Sequence, residues 1–180
     1  RYQFGQQGIN EYLSGEPGRL MMSLKSVLGS SLMGEDIIIK QRRISYKDVL
    51  AFLLHYIKQQ AELALGHELT QVVLGRPVRF HDHSDEKDQL AQDTMEEIAH
   101  KIGFKTVLFQ YEPIAAALAY EQSITQEKLA LIIDLGGGTS DFSVIRLRPK
   151  MGGEDRLQDV LANNGVHIGG TDFDTLLSLN

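Results

Sequence analysis

The sequence predicts an α/β domain: a mixed sheet with helices on its faces. Three observations carry that reading. Residues 71–120 alternate strand, helix, strand, helix with short connections. Two long stretches, Ser45 to Gly66 and Asp85 to Ile102, carry apolar residues at helical spacing. Leu129 to Val144, LALIIDLGGGTSDFSV, joins two apolar runs through a glycine turn, the pattern of a β-hairpin.

Composition bounds the possibilities. A chain of 180 residues with 42% hydrophobic content fits one domain of ordinary size and supplies a core. No window approaches the roughly 18 apolar residues of a membrane span, and the opening RYQFGQQ has no hydrophobic signal region. A cytoplasmic location without membrane contact is expected. Zero cysteines exclude disulfides and thiolate metal sites. The net charge of −6 argues against a nucleic-acid surface, which needs clustered Lys and Arg. The chain starts at Arg1 and stops at LLSLN inside a helical pattern, so an excised piece of a longer protein is expected.

In chain order, Arg1 to Pro17 is rich in Gly and Gln, gives weak signals and is expected to begin irregularly. Gly18 to Leu28 carries Leu20, Met21, Leu24, Val27 and Leu28 at helical spacing, closed by Gly29. Ser45 and Asp48 form an S-x-x-D cap on a helix striped by Val49, Leu50, Leu53, Leu54, Ile57, Ala61 and Ala64 and stopped by Gly66. Gln71 to Gly75 reads as a short buried strand ended by Arg76-Pro77. His81-Asp82-His83 offers metal-ligand residue types but no third cluster, and reads as a solvated loop. Asp85 to Ile102 is a helix through Ala91, Met95, Ile98, Ala99 and Ile102, with Gly103 at its end, and Lys105 to Phe109 is a strand. Glu112-Pro113 then opens a helix whose Ala115, Ala116, Ala117 and Ala119 permit close packing. Glu112 could serve only the helix dipole, or it could serve a ligand, because open α/β sheets place ligands at the C-terminal ends of strands. After the hairpin, Gly152 to Asp155 is a polar turn and Leu157 to Leu161 a strand. Gly169-Gly170 precedes Thr171, an expected N-cap, with Asp172 and Asp174 in the first helical turn; capping alone explains them, the alternative being an active-site role in which the glycines let backbone pass close to the cleft.

The hairpin carries the chemistry. Leu129, Leu131, Ile132 and Ile133 read as a buried strand, and Phe142, Val144, Ile145 and Leu147 as its returning partner. Gly136, Gly137 and Gly138 lack a Cβ, so positive φ is open to them and their N–H groups can converge on an anion such as phosphate; Thr139 adds a hydroxyl. Asp134 and Asp141 would repel bare phosphate. Their presence on either side of the turn implies a divalent cation, Mg²⁺ held largely through waters.

DLGGGTSDFSV resembles the second phosphate-binding hairpin of the actin, sugar-kinase and seventy-kilodalton heat-shock chaperone superfamily. Three more segments agree in order: SLKSVLG (Ser23 to Gly29) resembles the chaperone segment with its active-site lysine, QYEPIAAALAY (Gln110 to Tyr120) the family's EPTAAALAY, and GVHIGGTDFD (Gly165 to Asp174) its LGGEDFD. With VLGRPVRF at Val73 to Phe80, the likeness is greatest to the YegD-type group of bacterial chaperones.

The resemblance implies an actin-like (ribonuclease H-like) ATPase lobe. Residues 1–180 would be most of lobe one of a partial nucleotide-binding domain, without the N-terminal phosphate hairpin or the second lobe. It implies ATP or ADP with Mg²⁺, and K⁺ as a second candidate cation. Gly136, Gly137, Gly138 and Thr139 would hold phosphates and Asp134 and Asp141 would organise the metal. Lys25, otherwise read as a solvated lysine, would steady the attacking water and the γ-phosphate charge, and Glu112 would order water; with Thr139 these form the catalytic set. Slow hydrolysis would drive lobe motion that regulates a peptide-binding domain, with unfolded polypeptide and co-chaperones reached through parts outside this chain. By the same likeness Pro77 would link the site to substrate communication, although the family's arginine after that strand has no clear counterpart here. The alternatives are an actin-like filament protein of the bacterial shape-determining kind, which shares the EP-x-AAA and IGG-x-x-FD segments, and a nucleotide-responsive binding module without useful catalysis. Lys25 and Asp141 favour the chaperone side; a sugar kinase is disfavoured because no sugar-binding acid constellation is visible.

Overall fold

Ser45 stands where a short strand gives way to the longest helix, and its hydroxyl accepts the Asp48 amide at 3.1 Å, as the S-x-x-D spacing requires. The structure is a computed structural model describing residues 2–22, 24–28, 31–39, 41–81, 84–149, 156–166 and 168–178. Its elements are α1 (Gly5–Leu13), β1 (Asp36–Ile39), β2 (Arg42–Ser45), α2 (Tyr46–Leu65), β3 (Gln71–Arg76), α3 (Asp85–Lys101), β4 (Thr106–Tyr111), α4 (Glu112–Glu121), β5 (Lys128–Leu135), β6 (Ser140–Leu147), β7 (Val160–Val166) and α5 (Gly170–Ser178). Short 3₁₀ turns lie at Leu24–Val27, Ser31–Gly34 and Leu157–Asp159. The chain forms two units, residues 1–72 with 81–107, and residues 73–80 with 108–180.

In the first unit α2 packs on α3. Gly66 ends α2 at φ 76°, the left-handed conformation glycine tolerates, and its amide reaches Glu62 O at 2.8 Å. Ser84 caps α3 through the Lys87 amide, with Asp85, Glu86 and Asp88 in the first turn and His100 and Lys101 in the last, both favourable to the helix dipole. Leu50 and Ala51 from α2 and Ala91, Ile98 and Ala99 from α3 are buried. Ile57, expected on the buried stripe, is exposed; its neighbour Lys58 is buried instead, paired with Glu62 and 5.4 Å from the Phe104 ring centre.

Residues 2–4 are irregular, as expected of the start, but α1 follows unforeseen: Phe4 stacks on Tyr56 (4.5 Å between centres) and Tyr2 meets Phe52 at a tilt (4.7 Å), which ties its entry to α2. Gly18 to Leu28 is not a continuous helix, only the 3₁₀ turn Leu24–Val27 among its described residues. The β1–β2 hairpin was not foreseen; its turn holds Gln41 at φ 67°, a conformation that carries no sequence signal when the residue is not glycine.

The α/β class holds, and among the described residues the strands lie in three sheets and not one: β1 with β2, β3 with β4, and an antiparallel β5–β6–β7 sheet. In the second unit α4 lies on β5 and β6, and Ile114, Ala117 and Ile124 form a core with Ile145 and Leu147, flanked by Tyr111, Ala130, Ile132 and Val160. The hairpin is confirmed, but β5 is not buried on both faces: Ala130 and Ile132 turn to the core while Leu129, Leu131, Ile133 and Leu135 are exposed. The expected strand from Leu157 begins with a 3₁₀ turn and becomes extended only at Val160, and the predicted polar turn 152–155 lies outside the described residues. At its start Arg156 meets Glu121 and Asp159 in a buried charge cluster that no local pattern announced.

Candidate functional site

Alternation along β5 and β6 fixes a register in which Asp134 pairs directly with Asp141 and Leu135 with Ser140. Like charges directly opposite each other in a ladder destabilise it, so this pair has a local electrostatic cost that a cation would offset. Both carboxylates line a cavity of about 250 Å³ in the second unit, together with Glu112. Pro77, Val78, Pro113 and Ala116 form its apolar wall; among the described lining residues none is cationic.

Glu112 arrives there because β4 ends at Tyr111 and α4 starts with Glu112-Pro113. Its carboxylate passes over β3 at Gly75, where an added Cβ would lie 3.4 Å from Oε1. The floor of the sheet is polar and satisfied: the buried Ser143 hydroxyl donates to Asn163 Oδ1 at 2.7 Å. On β7, Gly165 pairs with Asp141, and a Cβ there would come within 2.6 Å of Asp141 Oδ1, so only glycine leaves that carboxylate its position.

The glycine turn is built differently from the expectation. None of Gly136, Gly137 and Gly138 has positive φ. The close approach at this turn is that of Gly169. Gly136 N donates to Thr139 O at 2.8 Å and closes the turn, while Gly136 O accepts from Gly170 N at 2.9 Å and Gly137 O from Thr171 N at 2.8 Å and from the Thr171 hydroxyl at 2.6 Å. A Cβ on Gly169 would sit 2.6 Å from Gly136 O, Gly137 C and Gly138 N. Thr171 is thus not the N-cap but a second-turn partner; Asp172 Oδ2 reaches back to the Gly169 amide at 2.8 Å, and Ser140 Oγ donates to Ile168 O at 2.7 Å. These contacts spend the carbonyls of the turn. Among the described residues the amides of Gly137 and Gly138 meet no acceptor.

The structure therefore brings Glu112, Asp134 and Asp141 together on one cavity, beside a turn formed by Gly136, Gly137, Gly138 and Thr139. Lys25 is different: its backbone lies in the 3₁₀ turn Leu24–Val27 of the first unit, and its side chain lies outside the described residues. Of the His81-Asp82-His83 loop, His81 Nε2 lies 3.0 Å from Leu28 O and residues 82 and 83 lie outside the described residues. Among the described residues no group of three or more His, Cys, Asp or Glu is close enough to ligate one ion directly. Two opposed carboxylates with room beside them suit a hard cation that keeps most of its waters, which is how Mg²⁺ is commonly bound. The sequence reading missed Gly75, Ser143, Asn163 and Gly165; the one legible signal was the glycine in GVHIGG, whose partner is 24 positions upstream in the chain.

A family model described as Hsp70 protein matches residues 25–179. The chain is 32% identical over 174 residues to a "Chaperone protein DnaK" of Thermosipho melanesiensis, covering 91% of this chain and 27% of that protein. A DnaK of Thermosipho africanus matches with the same identity and coverage. A "Heat shock 70-related protein 1, mitochondrial" of Leishmania major is 37% identical over 139 residues, 76% of this chain and 20% of that one. The chain thus spans about a quarter or less of the length of these curated relatives.

Proposed function

The chain belongs to the Hsp70 family, and from that premise we propose that residues 1–180 are most of the first lobe of a two-lobed ATP-binding domain in a chaperone. The second lobe and the other phosphate hairpin would come from the rest of a longer chain, a reading supported by the 27% coverage of the DnaK relatives. Within the family we assign it to the YegD-type group on the segment Val73 to Phe80. The relatives' printed names, chaperone and heat-shock protein, favour this over a filament or a passive binding module.

One observation carries the reading: an opposed Asp134–Asp141 pair shares a cavity with Glu112 and flanks the turn whose Gly137 and Gly138 amides are unspent among the described residues. The Gly137 and Gly138 amides and the Thr139 hydroxyl would hold the β- and γ-phosphates of ATP. Asp134 and Asp141 would hold Mg²⁺ through waters, and the metal would neutralise phosphate charge; K⁺ is a second cation for this site. Glu112, beside the apolar Pro77, Val78, Pro113 and Ala116, would orient the attacking water, and Lys25 would offset the charge that develops on transfer. The resulting weak ATPase would drive lobe motion, regulate a peptide-binding domain and, with co-chaperones, act on unfolded polypeptide in the cytoplasm.

Metal dependence tests the carboxylates. In the full-length protein, Asp134→Asn and Asp141→Asn should each weaken Mg²⁺-dependent ADP binding about tenfold or more, with binding in EDTA changed by less than about twofold. Equal weakening with and without metal would remove the pair from cation duty. For the lysine, Lys25→Ala should slow single-turnover hydrolysis roughly 100-fold while ATP affinity shifts less than about threefold. A parallel loss of both, or of neither, would take Lys25 out of the mechanism.

A further inference from the structure

Arg76 ends β3 and is 7% exposed, a rare place for a guanidinium unless several groups hold it. Two rings flank it. The guanidinium carbon lies 5.1 Å from the centre of Phe80 and 5.4 Å from that of Tyr111. Its edge is also used: Nε donates to Pro77 O at 3.1 Å and a terminal nitrogen to Val78 O at 3.4 Å. Pro77 and Val78 are one wall of the cavity, and Tyr111 is the residue immediately before Glu112. Gly75, which abuts the Glu112 carboxylate, immediately precedes Arg76.

We propose that Arg76 is a positioning residue for Glu112, clamping the Pro77–Val78 wall to Tyr111 so that the carboxylate is held over Gly75. The inference rests on the role given to Glu112 above. Only a planar cation fits the task. Arginine stacks its face on aromatic rings while its edge donates to carbonyls, whereas the compact ammonium of lysine cannot do both at once. Pro77 contributes a fixed φ and Arg76 the tether, so the wall would move as a body if the arginine let go.

The test is a double-mutant cycle in the full-length protein, read by single-turnover ATP hydrolysis and by ATP affinity. Arg76→Met, which keeps the length and loses the donors, should lower hydrolysis about 10- to 100-fold with affinity changed less than about threefold. Arg76→Lys should not restore it, and Tyr111→Phe, which keeps the ring, should stay near the parent. On a Glu112→Gln background Arg76→Met should add nothing further, because the arginine acts through that carboxylate. Independent, multiplying losses would make Arg76 a packing residue and overturn the inference. If Arg76→Met does not fold, Tyr111→Leu replaces it in the cycle with the same criterion. A Glu112→Gln protein that hydrolyses ATP normally would overturn the site reading and this inference together, whereas a slowed Glu112→Gln beside a normal Arg76→Met overturns this inference alone.

Discussion

Arg156→Met is expected to lower the stability of the chain by about 3–5 kcal/mol, read in urea as a lower midpoint with an unchanged slope. The arginine is 6% exposed and binds Glu121 through two bonds of 2.6 Å and Asp159 at 2.9 Å; Glu121 and Asp159 are themselves 3% and 1% exposed. Removing it leaves two carboxylates in a site water hardly reaches. Arg148 offsets this only in part. It lies 2.7 Å from Asp159 Oδ1, yet that oxygen accepts no hydrogen bond among the described residues, so the contact is close but poorly directed. With total stabilities of small domains at about 5–15 kcal/mol, the loss is a large share of the whole. A loss below about 1 kcal/mol would show the cluster to be hydrated in solution and worth no more than a surface pair.

The same cluster sets an acid limit. Hydrogen bonding to Arg156, then the Arg148 amide, holds the Glu121 carboxyl below its ordinary 4.5, against the opposing effect of burial. A carboxyl depressed by folding stabilises the native state in full above its unfolded pKa and loses that contribution as pH falls through the folded value. The chain should therefore lose stability below about pH 4.5, and Glu121→Gln should flatten that part of the profile. The cluster joins the last residue of α4 to the far end of β6, about 15 Å of helix from Glu112, so its first effect is on the frame of the site.

What could be read in advance follows the range of the interactions. The ends of α2 were legible because Ser45 acts on Asp48 and Gly66 on Glu62, each within a few residues, and the hairpin because its two apolar runs and their glycine turn are contiguous. The first helix was not, since Phe4 and Tyr2 find Tyr56 and Phe52 about fifty positions away. The run LALII was legible as a strand that asks for cover on two faces, and the described residues cover one. At the site, residue types announced the carboxylates and Glu112. The positive φ expected of Gly136, Gly137 and Gly138 is not found, whereas the close backbone passage raised for Gly169-Gly170 is, at Gly169. The charge cluster joins positions 121, 148, 156 and 159, each of which alone looks like a surface residue.

Close approach gives the second large effect, and it separates two neighbouring glycines. Gly169→Ala would place a methyl 2.6 Å from three backbone atoms of the 136–138 turn, and φ at 169 is not left-handed, so space alone forbids it. Backbone cannot rotate away as a side-chain tip would. The turn or the start of α5 has to move by about 1 Å, at a cost of about 1–3 kcal/mol, loosening the bonds from Gly170 N and Thr171 to Gly136 O and Gly137 O. If the Gly137 and Gly138 amides grip phosphate, a shift of that size should weaken ATP binding by the full-length protein roughly 100-fold. Gly170→Ala is the control: its Cβ would meet the same turn at 3.8 Å, ordinary contact, at the first residue of α5 with a φ that alanine tolerates, so it should leave binding unchanged and the melting temperature equal or higher. Two alanines one residue apart then have opposite consequences. Similar behaviour of the two, in either direction, would mean that the turn yields to its neighbour, and a turn that yields could not keep its amides converged on a phosphate.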